Sequence, residues 1–289
     1  MHSNLAIFFN DNMQFCYSLE RYTLLGKQKI VAKFDIYDSL HKKTVYFYTL
    51  DGFSKESFNQ GLEQLTEILA SSSNFKQLMD YENLLPSVYF FTLNCNKIEK
   101  EFKTKTAGLV LNPTYESLTR FFNSGFTTLK LKYKKLTIED IKLLNAFIET
   151  APQVKLRLDF NQKLNLDNLQ TIIRNIPEEN LDYIEEPFEN CLSLTENYPN
   201  KIALDETLRN LSNIPKDLPA VFVIKPLLTS EFSSWIKELK NNKKRVIISS
   251  SFELPCGIRT LQQIIHSNKL EQDYHGIDTL RYYDLLPTV

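Results

Sequence analysis

Lys155-Leu156-Arg157-Leu158-Asp159-Phe160-Asn161 reads as a buried strand that delivers an acid at its end. Leucines alternate with charged residues, the period-two pattern of a strand with two unlike faces. Three later segments repeat the design: Tyr183-Ile184-Glu185-Glu186-Pro187, Ile202-Ala203-Leu204-Asp205-Glu206 and Val223-Ile224-Lys225-Pro226. In a parallel barrel the C-terminal ends of the strands face one common site. Three acids followed by a lysine therefore describe a cation site beside a base.

Outward from this stretch the pattern stays regular. Strands are expected at residues 109–112, 128–133, 155–161, 183–185, 202–205, 221–225, 246–250 and 276–280. Helical periodicity fills the intervals at 115–122, 138–150, 167–176, 231–239 and 258–265, with short helical stretches near Ser193 and after Asp205. Strands alternating with helices at this spacing predict an α/β fold, a modified (β/α)7β TIM-type barrel over residues 101–280 with a missing or degenerate final helix. The first hundred residues differ. Strand-like runs at 30–36 and 44–48 precede helical patterns at 55–71 and 75–84, which predicts an α+β capping domain over residues 1–100, joined by the C-terminal segment 281–289.

Composition narrows the function. The chain has 289 residues, 43% of them hydrophobic, enough for a large core, and its net charge of −1 gives no footprint for nucleic acid. No apolar run reaches the roughly 18 residues needed to span a bilayer, and Met1 to Phe9 lacks the pattern of a secretion signal. The four cysteines are scattered and read as reduced thiols, so a soluble cytoplasmic protein, monomeric and acting on a small molecule, is expected. Neither a Walker A loop nor a Gly-x-Gly-x-x-Gly turn occurs.

Strand parity tests which charges point inward. If bulky aliphatics face the helix layer, Leu129 and Leu131 turn Lys130 and Lys132 into the barrel, and Leu156 and Leu158 do the same for Arg157 and Asp159. Ile184 leaves Glu185 inside and Glu186 on the other parity. Ile202 and Leu204 place Asp205 inside, and Phe222 and Ile224 place Lys225 there. Three converging carboxylates repel one another, and a hard divalent cation relieves them. An all-oxygen set favours Mg2+, with Mn2+ the alternative. Such an ion acidifies the α-proton of a bound carboxylate, and a lysine can remove that proton only when neutral. Like-charge repulsion among Lys130, Lys132 and Arg157 is expected to depress a lysine pKa.

These residues resemble the enolase superfamily, specifically its muconate-lactonizing subgroup and, within it, the o-succinylbenzoate synthases. The carriers are Lys130-Leu-Lys132, Arg157-Leu-Asp159-Phe-Asn161, Ile184-Glu185-Glu186-Pro187, Ala203-Leu-Asp205-Glu206, Ile224-Lys225-Pro226 and Ser249-Ser250-Ser251-Phe252-Glu253. Gly52-Phe53-Ser54-Lys55-Glu56-Ser57 and His275-Gly276-Ile277-Asp278-Thr279-Leu280 point to those synthases. The resemblance implies Asp159, Glu185 and Asp205 as Mg2+ ligands, and Lys132 as the base that then assists loss of hydroxide in a syn elimination. It implies Lys225 as the stabiliser of the enediolate from the opposite face and Arg157 as the group that orients Lys132. Gly52, Phe53, Lys130, Ser249, Ser250 and Ser251 would touch the carboxylate substrate, with Asn161 behind the ligands. The sequence departs from the pattern at Tyr133-Lys134 and at Leu254-Pro255-Cys256, which flank the site. The same machinery would serve a racemase of N-succinylamino acids or a dipeptide epimerase, and a retired barrel acting as a scaffold is the non-enzymatic reading.

Overall fold

The computed structural model describes residues 6–9, 13–38, 41–50, 53–96 and 102–285. Four antiparallel strands open the chain: β1 (Ala6–Phe9), β2 (Gln14–Leu24), β3 (Lys27–Tyr37) and β4 (Lys42–Phe47), in the spatial order β1-β2-β3-β4. The β2–β3 hairpin turns through Leu25 and Gly26, both at positive φ (51° and 71°), the geometry that matches the twist of the flanking strands. Helices α1 (Phe58–Ser71) and α2 (Pro86–Cys95) cover this sheet, burying Phe34, Phe47, Leu65, Leu69, Val88 and Phe91 in a core of their own. Residues 75–84, expected to be helical, hold only a 3-10 turn at Lys76–Met79. The second helix instead begins at Pro86, whose fixed φ and missing N–H suit the first helical position.

Seven parallel strands follow: β5 (Gly108–Val110), β6 (Thr128–Lys132), β7 (Lys155–Asp159), β8 (Leu181–Glu185), β9 (Ile202–Leu204), β10 (Val221–Ile224) and β11 (Arg245–Ile248). They pair in strict chain order. Between and after them run α3 (Tyr115–Asn123), α4 (Ile138–Thr150), α5 (Leu166–Asn175), α6 (Leu194–Asn197), α7 (Glu206–Arg209), α8 (Phe232–Asn241) and α9 (Pro255–Ser267). Helix α4 shows why the boundaries were readable: Thr137 and Asp140 form a reciprocal capping box at its start.

The eighth strand expected at 276–280 is reduced to two bridges. His275 pairs with Thr106, and Gly276 with Ser249, so these two residues close the sheet between β5 and β11. His275 is fully buried; its Nδ1 accepts Ile248 N–H at 3.0 Å and its Nε2 lies 2.9 Å from Leu270 O. A side chain thus takes over part of the ladder. Beyond it, β12 (Tyr283–Leu285) pairs antiparallel with β2 and brings the end of the chain onto the first sheet. No helix among the described residues is long and apolar enough to cross a membrane.

Candidate active site

The pleat sorts side chains as parity requires. Leu129, Leu131, Leu156, Leu158, Ile184, Ile202, Leu204, Phe222 and Ile224 join the core shared with the helices, while Tyr183, Ala203, Val223 and Ile247 form a separate cluster inside the barrel. Parallel register aligns Lys130 with Arg157, Lys132 with Asp159 and Asp159 with Glu185, and Ala203, two residues before Asp205, lies opposite Glu185. The acids therefore stand at the ends of three neighbouring strands, β7, β8 and β9. Lys132 ends β6 on one flank, and Lys225 follows β10 on the other.

Ion pairs knit these groups together. Lys130 Nζ lies 2.6 Å from Glu185 Oε1 and 3.0 Å from Asp159 Oδ2. Lys132 Nζ reaches the same Asp159 oxygen at 2.9 Å and donates to Asn161 Oδ1 at 3.1 Å. Lys225 pairs with Asp205 Oδ2, and Arg209 Nε is 3.3 Å from Asp205 Oδ1. Arg209 had no place in the sequence reading, although its position four residues after Asp205 on a helical turn is the spacing at which side chains meet. Glu206, the residue after Asp205 and so on the other parity, accepts Asn161 Nδ2–H at 3.3 Å and borders the site.

The electrostatics follow from burial and pairing. Burial works against the charged form of Asp159, yet Lys130, Lys132 and Lys225 overcome it and hold its pKa well below the usual carboxylate range. Asp205, also penalised by burial, is held low by Lys225 and Arg209. Burial pushes Glu185 up despite Lys130. Two buried lysines have raised rather than depressed pKa values. Burial disfavours the ammonium of Lys130, but Asp159 and Glu185 raise its pKa well above normal, and Asp205 does the same for Lys225. Lysines that sit on carboxylates gain more from those neighbours than they lose to one another.

Glu186 explains the doubled acid. With φ of 42° and no exposure, it turns away from the cavity. Its Oε1 accepts the backbone N–H of Asp205 and of Thr207, each at 2.7 Å, and its Oε2 accepts Thr207 Oγ1 at 2.8 Å and Gln162 Nε2 at 3.0 Å. It holds the backbone that carries Asp205.

Arg157 faces the barrel interior, as parity requires, within a network of its own. Its Nε donates to Asp182 Oδ2 at 2.7 Å, its Nη1 to Tyr274 O at 2.7 Å, and its guanidinium stacks 4.8 Å from the Tyr183 ring centre. Asp182 is available because a register shift between Leu156 and Arg157 makes it the extra residue of a bulge in β8. Arg245 completes the network through Asp182 at 2.7 Å and Asp273 at 2.9 Å. Arg157 is thus engaged low in the barrel by an acid, a backbone carbonyl and an aromatic ring.

A cavity opens above the lysines. Lys130, Lys132, Asn161, Lys225, the Ser249 to Ser251 turn, Gly276 and Thr279 supply its polar part; Leu50, Phe53, Leu109, Leu228 and Phe252 supply an apolar wall. Phe53 sits at the rim, 58% exposed. Lys130 lines the cavity but spends its ammonium on two acids. Gly52 lies outside the described residues.

Among the described residues no three Asp, Glu, His or Cys side chains converge closely enough to hold a metal, since Lys130 and Lys225 engage the carboxylates. The donor set still fits a hard divalent ion. Glu185 Oε2 is buried without a hydrogen-bond partner, and Asp159 Oδ2 and Asp205 Oδ1 have only ion-pair contacts. All the donors are carboxylate oxygens on adjacent strand ends.

Comparison with known proteins is consistent with this geometry. Residues 114–218 match the family model described as enolase C-terminal domain-like. Together with the barrel and its cap, that match decides the architecture. The chain has the enolase-superfamily fold. The o-succinylbenzoate synthase of Aliivibrio salmonicida (strain LFI1238) is 24% identical over 269 residues, 87% of this chain and 82% of that one. The enolase-type fold recurs in the o-succinylbenzoate synthase of Thermosynechococcus elongatus BP-1, solved with Mg in its active site, at a TM-score of 0.71 and 19% identity over 96% of both chains. It recurs equally in a dipeptide epimerase from Methylococcus capsulatus, solved with a Mg ion, at a TM-score of 0.72 and 14% identity, covering 97% of this chain and 92% of that one.

Proposed function

We propose that this protein is an o-succinylbenzoate synthase, a Mg2+-dependent lyase that dehydrates 2-succinyl-6-hydroxy-2,4-cyclohexadiene-1-carboxylate. The observation that carries the reading is the placement of Asp159, Glu185 and Asp205 on adjacent strand ends between Lys132 and Lys225. These three acids would hold the ion. Mg2+ bound there supplies electrostatic stabilisation for the negative charge that grows on a substrate carboxylate as its α-proton leaves.

The chain's own groups do the rest. Lys132 is the cavity lysine with the greater freedom, its side chain 28% exposed against 9% for Lys225. It takes the α-proton at Nζ, steadied by Asn161 Oδ1. The same ammonium then returns a proton to the departing hydroxide on the same face, so one C–H and one C–O bond break, water leaves and the ring becomes aromatic. Lys225, buried on the opposite flank, presents fixed positive charge to the substrate from the other side. The apolar wall of Leu50, Phe53, Leu109 and Phe252 suits a carbocyclic ring and excludes water.

The charged lining favours an anion: Lys130, Lys132 and Lys225 all border the cavity. A dipeptide would bring an ammonium, and no Asp or Glu lines the cavity among the described residues. The fold shared with dipeptide epimerases keeps epimerisation as the second reading.

A substrate panel separates the two. With Mg2+ present, kcat/KM for the cyclohexadiene carboxylate is expected to exceed that for N-succinylamino acids and for dipeptides. Racemisation needs both lysines as acid and base, so Lys225→Ala abolishes it, while a dehydratase keeps some turnover. Turnover confined to dipeptides would replace the synthase reading with the epimerase one.

A further inference from the structure

The serine turn that follows β11 is organised by a carboxylate behind it. Glu253 has no exposed surface. Its Oε2 accepts the Ser250 hydroxyl and the Ser251 N–H, the latter at 2.7 Å. Ser250 Oγ in turn accepts Phe252 N–H at 3.0 Å and Glu253 N–H at 3.3 Å, and it lies 2.8 Å from Thr279 Oγ1. A hydroxyl has one proton to give. That of Ser250 goes to Glu253, so Ser250 has no donor left for a ligand in the cavity it lines.

Ser251 is in the opposite condition. Its N–H is taken by Glu253, but its Oγ is buried without a hydrogen-bond partner, and Ser251 also lines the cavity. A Cβ on Gly257 would crowd Tyr48 Oη and stand 2.7 Å from Glu253 Cβ, so the bare backbone at 257 leaves room for both side chains. Keeping an acid here is costly, since Glu253 Oε1 has no partner and burial pushes the pKa up to about 7. A glutamine would be the cheaper filler.

We propose that Glu253 is a positioning residue: it commits the Ser250 hydroxyl and the Ser251 amide to itself, leaving Ser251 Oγ as the hydroxyl that binds the substrate carboxylate remote from the reacting carbon. The identity of that ligand rests on the synthase reading. The positioning itself does not.

Glu253→Leu removes the oxygen that the Ser250 hydroxyl and the Ser251 amide share, so the turn must reorganise, whereas Glu253→Gln can keep an acceptor there and should restore wild-type behaviour. Fluorescence titration with o-succinylbenzoate and with benzoate, which lacks the remote carboxylate, reads the consequence. The leucine variant should bind o-succinylbenzoate about tenfold more weakly, the worth of one lost hydrogen bond to a charged group, and benzoate unchanged. In turnover, KM should rise by a similar factor with kcat within about threefold. Equal weakening of both ligands, or of neither, overturns the proposal. If wild-type protein binds no o-succinylbenzoate, the synthase reading fails, and amide exchange at Ser251 then decides: it must quicken in Glu253→Leu, and unchanged exchange overturns the positioning role. Should Glu253→Leu fail to fold, Ser251→Ala must reproduce the selective loss for o-succinylbenzoate, and equal binding of both ligands overturns the proposal.

Discussion

Replacing Glu186 is expected to damage the molecule more than its place outside the cavity suggests. Four donors converge on its carboxylate: the amides of Asp205 and Thr207, the Thr207 hydroxyl and the Gln162 amide. Glu186→Ala strands two buried backbone N–H groups, each costing about 1–3 kcal/mol when unpaired. Loss of the charge-assisted bonds to side chains adds to this, and water entering the space offsets part of it. The net should be about 4 kcal/mol, near the top of the range for point substitutions. Glu186→Gln is milder. Its single carbonyl oxygen still serves both backbone amides, while Thr207 and Gln162 must reverse their donors, for a cost of about 1–2 kcal/mol. Urea unfolding at constant slope measures both. Because Glu186 fixes the backbone of Asp205, Mn2+ affinity followed by electron paramagnetic resonance should also fall about tenfold in Glu186→Gln. A Glu186→Ala protein within about 1 kcal/mol of wild type would refute the reasoning.

Three further outcomes follow from the same contacts. Arg157→Met breaks a buried pair and should cost about 3–5 kcal/mol in urea unfolding, with the pH–rate profile of the surviving enzyme unchanged; a shifted profile would restore a direct role in tuning Lys132. Burial lowers the pKa of His275 below its ordinary 6.5. The unfolded chain therefore binds more protons near that pH, so stability falls as pH drops below about 6.5 and is regained above it. The difference in urea midpoint between wild type and His275→Asn should narrow between pH 8 and pH 5.5, and a constant difference contradicts the assignment. A Cβ on Gly276 would stand 2.7 Å from Ser249 Oγ, so Gly276→Ala should cost about 1–3 kcal/mol by calorimetry; an unchanged melting temperature would show that Ser249 yields freely.

Much of this arrangement could be read from alternation alone. Leu129, Leu131, Leu156 and Leu158 fix which parity meets the helices, and the inward placement of Lys130, Lys132, Asp159, Glu185 and Asp205 follows without knowledge of the fold. What alternation does not carry is register and reach. The bulge at Asp182 is a property of how β7 and β8 pair, and it draws the long Arg157 side chain down the barrel. Lys130 meets Glu185 two strands away, a distance no local spacing encodes. The closing strand dissolved into His275 and Gly276 because a histidine ring and a bare backbone complete the ladder where regular pairing stops. Helix α2 was missed because its pattern lacks polar alternation: Phe90, Phe91, Thr92, Asn94 and Cys95 are all buried, and only Pro86 announces its start.

The central claim, that Lys132 works beside a divalent cation held by Asp159, Glu185 and Asp205, meets its most direct test in one absorbance trace. Purified protein with Mg2+ and 2-succinyl-6-hydroxy-2,4-cyclohexadiene-1-carboxylate should consume the diene, stop on addition of EDTA and recover with excess Mg2+, while Lys132→Ala stays silent throughout. Turnover that ignores EDTA, or that survives Lys132→Ala, would contradict the account.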